Sequence, residues 1–169
     1  MDEKHRTPVR NLYAAGECCA QYHGANRLGG NSLLGAIYGG RIAAQTACED
    51  AMSAKDMLVT ETQEPADLCE SISQSDKKKI NEIMLNALGV IRNQKIMEND
   101  LEKLRQIKGA LSLLGQAVIM SAIERTESRG AHYREDYPEK NDDFARTTIA
   151  SYNGQKIQIH FEEIPERRQ

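Results

Sequence analysis

The sequence predicts a mostly α-helical protein with a minor β component, an α+β chain. Three observations predict it. Apolar residues recur at helical spacing between positions 80 and 122. A Gly/Ala-rich stretch from Ser32 to Ala47 follows a polar start signal. Near the C-terminus, Asn153-Gly154 stands between two β-type segments, the strongest short hairpin signal.

The elements follow in order. Leu12, Tyr13, Ala14 and Ala15 read as a short buried strand closed by Gly16-Glu17. Asn31-Ser32 reads as a helix start with Ser32 as N-cap, because a serine hydroxyl accepts from backbone N–H groups one turn in. That helix is expected to end near Ala47. Its interior glycines 35, 39 and 40 each cost roughly 1 kcal/mol against alanine, so a close-packed neighbour is expected. Residues 51–75 are polar and aperiodic, acidic between Glu61 and Glu70, and interrupted by Pro65. Ile80, Ile83, Met84, Ala87, Leu88 and Ile91 form one helix face. A second helix is expected from Asn99, with Glu102 as its capping-box partner. Leu101, Leu104 and Ile107 continue the stripe. Gly109 either opens a third helix or lies inside one long one, and Leu111, Leu114, Val118 and Ala122 extend the apolar face. The expectation is an antiparallel two- or three-helix bundle. A charged loop follows at 129–143. A hairpin of 147–152 and 155–161 closes the chain, with Ile157, Ile159 and Phe161 on its buried side. The domains expected are 1–52, a linker at 53–75, and 76–169.

Composition narrows the function classes. Aromatic content is 5% and Trp is absent, so the core must rest on Leu, Ile, Ala and Met. A net charge of -3 of mixed sign argues against nucleic-acid binding. Lys77-Lys78-Lys79 reads as a solvated first helical turn. Cys18, Cys19, Cys48 and Cys69 contain no Cys-x-x-Cys pair, and adjacent cysteines rarely bridge each other. They read as reduced, partly buried thiols of a cytoplasmic protein. No apolar run approaches the ~20 residues of a membrane span, and Met1-Asp-Glu-Lys-His-Arg lacks the apolar core of a signal peptide.

The chemistry concentrates in Gly16-Glu17 and His23-Gly-Ala-Asn-Arg-Leu-Gly-Gly-Asn-Ser-Leu-Leu34. A carboxylate directly after a strand binds ribose hydroxyls in dinucleotide sites. Arg27, in a Gly-rich loop, has room to pair a carboxylate with two parallel hydrogen bonds. Gly29 and Gly30 let backbone approach a flat ligand. The helix N-terminus at Asn31, Ser32 and Leu33 favours negative charge, such as that on a reduced flavin. The pieces suit hydride transfer between a dicarboxylate and a flavin. A Gly-rich turn before a helix also occurs without any ligand.

These residues closely resemble the flavoprotein subunit of succinate dehydrogenase and fumarate reductase, with L-aspartate oxidase a near relative. Leu12-Tyr-Ala-Ala-Gly-Glu17, the His23–Leu34 stretch, and Glu127-Ser-Arg-Gly-Ala-His-Tyr-Arg-Glu-Asp-Tyr-Pro138 carry the likeness in the family's order. The resemblance implies the C-terminal part of an FAD-binding domain followed by a helical domain. It implies FAD as cofactor, a dicarboxylate substrate, an iron–sulfur partner subunit, and a peripheral place on the cytoplasmic face of the membrane. It implies that Glu17 holds the FAD ribose and Arg27 a substrate carboxylate. Ser32 and the Leu33 backbone would meet the isoalloxazine. His23 and Asn26 would shape the loop, and Arg129, His132 and Arg134 would form structural ion pairs and interfaces. No metal site is expected, at His132 and Asp136 or elsewhere. The family's opening Gly-x-Gly-x-x-Gly and its capping domain have no counterpart in these residues. The chain is therefore expected to hold one wall of the site, to be inactive alone, and to self-associate through its Gly/Ala helix. The alternatives are a non-catalytic helical interaction module and a relative acting on L-aspartate.

Overall fold

A computed structural model describes residues 1–19, 23–53 and 72–163. The chain divides into two compact units, Met1–Gln63 and Glu64–Gln169. Most of the expected linker lies outside the described residues.

The first unit is one long helix with an N-terminal segment fastened to it. Helix α1 spans Asn31–Ser53. It continues past the expected end at Ala47 because residues 47–53 contain no breaker, and Ser53 Oγ donates to the Glu49 carbonyl at 2.8 Å. Arg6 grips Asp50 with two hydrogen bonds, Nε at 2.8 Å and Nη2 at 2.6 Å, and the Tyr13 hydroxyl donates to the same carboxylate at 2.8 Å. The Arg6 and Tyr13 donors hold the Asp50 carboxyl down at about 2. The expected strand at 12–15 does not form. Tyr13 makes a single antiparallel bridge to Arg6, and Leu12 is 52% exposed. Among the described residues no further strand pairs with it, so its four residues gain no ladder. Gly16 then turns with a φ of 80° into a short 3-10 turn, Gly16–Cys18.

The second unit is a three-helix bundle with a hairpin. Helix α2 spans Gln74–Ala87, capped by the Ser73 hydroxyl, which accepts from Asp76 N at 3.0 Å. Lys77, Lys78 and Lys79 are exposed on its early turns. Leu88 caps the helix, so Ile91 falls beyond it and is 59% exposed instead of continuing the apolar face. Helix α3 spans Gln94–Arg105. It starts one and a half turns before the expected Asn99, because Asn93 Oδ1 accepts from Ile96 N at 2.9 Å and caps it there. Gly109, at φ 111°, ends the connection and opens α4, Ala110–Glu124.

All three helices contact one another. Their core is Ile80, Ala87, Met97, Leu101, Leu104, Ile119 and Ala122. The buried face of α4 is Ser112, Gly115, Ile119 and Ala122, one position round from the expected stripe. Leu111, Leu114 and Val118 face outward, 40%, 62% and 42% exposed. Small residues take the inner face because α4 approaches so closely: a Cβ on Gly115 would lie 2.8 Å from Leu104 Cδ2 and 3.1 Å from Met84 Sδ. The buried Ser112 hydroxyl is satisfied by donating to the Leu104 carbonyl at 2.7 Å.

Strands β1, Thr147–Tyr152, and β2, Ile157–Glu162, form an antiparallel pair with Tyr152 opposite Ile157. Four residues connect them, where the sequence suggests a two-residue turn. Asn153 Oδ1 accepts from both Gln155 N and Lys156 N at 3.0 Å, and so widens the turn. Ile157, Ile159 and Phe161 are the half-buried side, and the hairpin packs on α4.

Charged side chains join bundle, loop and hairpin. Arg134 is fully buried. It bonds Asp136 through two nitrogens (2.8 and 2.6 Å) and donates to the Ala122 and Ile123 carbonyls and to Gln94 Oε1. Asp136 in turn accepts from Gln94 N at the start of α3. The buried Glu127 carboxylate accepts from Arg125, Arg129 and Asn141 N. Burial pushes its pKa up, but the three donors outweigh this and hold it below the usual value. Arg125 also reaches the Phe144 and Arg146 carbonyls and the Thr148 hydroxyl. His132 lies between Arg92 Nη1 (2.7 Å from Nδ1) and the Arg125 carbonyl (3.1 Å from Nε2). Since arginine only donates, Nδ1 must accept and Nε2 must carry the proton. These contacts place Arg129 and Arg134 in ion pairs and His132 in hydrogen bonds within this unit.

Three measurements check this packing. Gly115→Val overfills the α4 contact and should cost about 1–3 kcal/mol in urea unfolding. Arg134→Met strands Asp136 and two helix-end carbonyls and should cost about 3–5 kcal/mol, the range for breaking a buried pair. Burial, before its arginine neighbours, depresses the His132 pKa from 6.5. The unfolded chain therefore binds the extra proton first, so stability falls as pH drops below 6.5. His132→Gln should flatten that slope between pH 7.5 and 5.5.

Candidate functional site

The site residues expected from the sequence all lie in the first unit. Gly16 packs its backbone against α1, where a Cβ would sit 3.7 Å from Ala36 Cβ. That contact holds the Gly16–Cys18 turn beside the early turns of α1 and presents Glu17 exposed next to it. Residues 20–22 lie outside the described residues. His23 is half-buried, and Asn26 and Arg27 are exposed. The Arg27 Nη1 donates to the Leu28 carbonyl at 3.2 Å.

The loop closes onto α1 through Asn31 N, which donates to the Leu28 carbonyl at 3.2 Å. Gly30 adopts φ 84°, and nothing lies within 4 Å of a Cβ built on Gly29 or Gly30. A flat ligand therefore finds open backbone at this point. Asn31 is the first helical residue, so Ser32 sits one position inside the helix and is not its cap. Ser32 and Leu33 thus lie in the first turn of α1, where backbone N–H groups lack intrahelical partners. Ser32 is half-buried and Leu33 is 70% exposed. Chemically, the arrangement offers one carboxylate acceptor, one guanidinium, open glycine backbone and a positive helix end on the same unit.

The cysteines differ from a uniform set of partly buried thiols. Cys18 is exposed and Cys19 buried, their sulfurs 4.0 Å apart, directly after Glu17. Cys48 is exposed on α1. Cys69 lies outside the described residues. No group of three or more His, Cys, Asp or Glu stands in metal-holding arrangement among the described residues.

Comparison with known proteins identifies the family. Residues 1–33 match an FAD binding domain, and residues 109–168 match the fumarate reductase flavoprotein C-terminal domain. The chain belongs to the succinate dehydrogenase and fumarate reductase flavoprotein family. It is 37% identical over 153 residues to L-aspartate oxidase of Pyrococcus furiosus, a match covering 88% of this chain and 31% of that protein. It is 33% identical to the succinate dehydrogenase flavoprotein subunit of Bacillus subtilis, covering 90% and 33%. The fold resembles the FrdA chain of E. coli quinol fumarate reductase, with a TM-score of 0.74 at 24% identity over 95% of this chain and 35% of that one. The chain thus spans about a third of the length of the relatives it matches. In this flavoprotein-family segment, no helix among the described residues is long and apolar enough to cross a membrane.

Proposed function

We propose that this chain supplies one wall of the active site of an FAD-dependent oxidoreductase that interconverts succinate and fumarate. The observation that carries the reading is the open glycine loop that delivers Arg27 and the N-terminus of α1 side by side. The residues present suit FAD. Glu17 would accept from the ribose hydroxyls. Ser32 and the Leu33 N–H would face the isoalloxazine, and Gly29 and Gly30 leave room for its plane. When bound, FAD supplies the hydride acceptor and donor. Arg27 binds and orients a substrate carboxylate through paired hydrogen bonds. His23 and Asn26 shape the loop. Residues 1–52 are the C-terminal part of the FAD-binding domain, 53–75 the linker, and 76–169 the helical domain. Electrons would pass to an iron–sulfur subunit, with the assembly peripheral on the cytoplasmic face of the membrane.

A second reading, action on L-aspartate, is supported by the 37% identity to an L-aspartate oxidase. Both substrates are four-carbon dicarboxylates, and Arg27 would serve both alike.

Among the described residues there is neither a pyrophosphate cradle nor a proton donor placed opposite Arg27. The chain alone should bind FAD weakly and reduce no fumarate with a reduced dye. Stoichiometric flavin retained through purification would overturn this. The exposed Leu33, Leu34, Ile37 and Tyr38 on α1 should make it self-associate, and a concentration-independent monomer in sedimentation would contradict that. The roles are tested by a chimera in which the chain replaces the matching third of the B. subtilis flavoprotein subunit. Arg27→Gln there should lower kcat/KM for succinate by roughly 10–100-fold, the worth of a charge-assisted hydrogen bond, with flavin content unchanged. Glu17→Gln should instead lower flavin content. Faster turnover of L-aspartate than of succinate by a chimera on the P. furiosus enzyme, but not on the B. subtilis one, would favour neither reading; preference for L-aspartate on both would favour the second.

A further inference from the structure

The adjacent cysteines have no part in the proposed dicarboxylate chemistry, yet their geometry is specific. Both thiols turn to the same side of the backbone, with Sγ atoms 4.0 Å apart. The Cys18 sulfur is exposed and donates to the Ala15 carbonyl at 3.1 Å, while Cys19 is buried behind it. A disulfide is the obvious product of such a pair, and it fits poorly. Bonded sulfurs lie about 2.05 Å apart, and bridged residues usually have Cα atoms more than about 4.4 Å apart. Consecutive Cα atoms are held at about 3.8 Å. A single soft atom inserted between the sulfurs fits better. Two bonds of ~2.3 Å, the length of a zinc–thiolate bond, meeting at a tetrahedral or slightly narrower angle place their sulfurs ~3.5–3.8 Å apart. The thiols need to close by only a few tenths of an ångström.

The coordination number selects the atom. Zinc in a structural site takes four protein ligands, and no third His, Cys, Asp or Glu completes a group here among the described residues. A trivalent pyramidal centre needs only two thiolates, because it keeps one substituent of its own. We propose that Cys18 and Cys19 form a vicinal-dithiol site for trivalent arsenic, as arsenite or an organoarsenical. Capture is a condensation without redox change. Arsenous acid and two thiols give a dithioarsenite that retains one hydroxyl, with two waters released: two As–O and two S–H bonds break, and two As–S and two O–H bonds form. Cys18, being exposed, reacts first. Cys19 closes the ring within its own turn, so its attack is intramolecular. Burial and the neighbouring Cys18 push the Cys19 thiol pKa up, which keeps it a thiol until the arsenic arrives.

Phenylarsine oxide added to the full chain tests this by intact mass. One adduct per chain should survive a wash with excess glutathione and leave on addition of dithiothreitol. The Cys48→Ser/Cys69→Ser double variant should behave the same. Cys18→Ser and Cys19→Ala should each release the adduct to glutathione roughly 100-fold faster, the loss expected when a second attachment within one molecule is removed. Cys18→Ser changes an exposed side chain, so it decides the matter even if Cys19→Ala fails to fold. An adduct that glutathione strips equally fast from the unaltered chain and Cys18→Ser overturns the proposal. So does an adduct lost with Cys48 and Cys69.

Discussion

The Arg134 guanidinium, fully buried, is the interaction on which the second unit depends. It closes the C-terminal end of α4 through the Ala122 and Ile123 carbonyls, and through Asp136 it reaches the first N–H of α3. Helix ends leave orphan carbonyls and N–H groups that burial makes expensive. One arginine and one aspartate answer both ends at once. The guanidinium stacks on Tyr137, 4.7 Å from its ring centroid, and so covers part of its own charge with an aromatic face. Arg125 repeats the device toward the hairpin, where it lies near the Phe144 and Phe161 rings and bonds the carbonyls that lead into β1. The loop between bundle and hairpin is thus ordered by charge, where a core of few aromatics offers little else. Buried pairs of this kind are costly to break, and their net contribution to stability is smaller than that cost suggests.

The first unit is built on a different principle. Its α1 helix buries only Gly39 and Thr46, while Leu33, Leu34, Ile37 and Tyr38 stay exposed. What holds the N-terminal segment is polar: Arg6 and Tyr13 on Asp50, and the buried His5 ring against the Ala14 carbonyl at 2.7 Å. The Arg6 and Asp50 side chains are both about a third exposed, so the pair fixes geometry more than it adds stability. The glycines of α1 ask for a close neighbour, and Gly40 has open space where its Cβ would be.

How much was legible in the sequence depended on which physical signal each residue carried. The hairpin was legible because Asn153-Gly154 and the alternation at 157–161 are local. The helices were legible as a set, since apolar periodicity survives small errors of phase. Their edges were not. Asn99 was read as the cap from its spacing to Glu102, whereas Asn93 takes that place because its Oδ1 accepts from Ile96 N and the helix it opens buries Met97 a turn ahead of Leu101. The inner face of α4 was misread because Leu111, Leu114 and Val118 are the more apolar residues. Close approach instead rewards the small ones, Ser112 and Gly115, and hydrophobicity does not encode that. The strand at 12–15 was read from composition, and a strand forms only where a partner ladder exists. In the candidate site, the loop before α1 was legible from Gly29-Gly30 and the helix start at Asn31, whereas the role proposed for Arg27 rests on the resemblance. The Cys18–Cys19 geometry was not legible, because it depends on a short 3-10 turn, Gly16–Cys18, that ends between the two cysteines and has no hydrophobic periodicity to announce it.

The exposure of the candidate site bears on how it must work. Glu17 and Arg27 both meet water. A carboxylate 4 Å from a guanidinium gains about 1 kcal/mol at the dielectric of water and about 4 kcal/mol at an effective value of 20. Binding of a free dicarboxylate at such an open arginine is therefore weak, whatever its geometry. Catalytic electrostatics of the kind a flavin and a polarised dicarboxylate require develop in sites from which water has been excluded. Arg27 gains that strength only when another surface closes over it. The exposed apolar positions at the start of α1, immediately after the loop, are where a covering surface would first find purchase. The same covering would dry the proposed site and bury Leu33, so the wall proposed for the flavin and the exposed start of α1 pose one physical requirement.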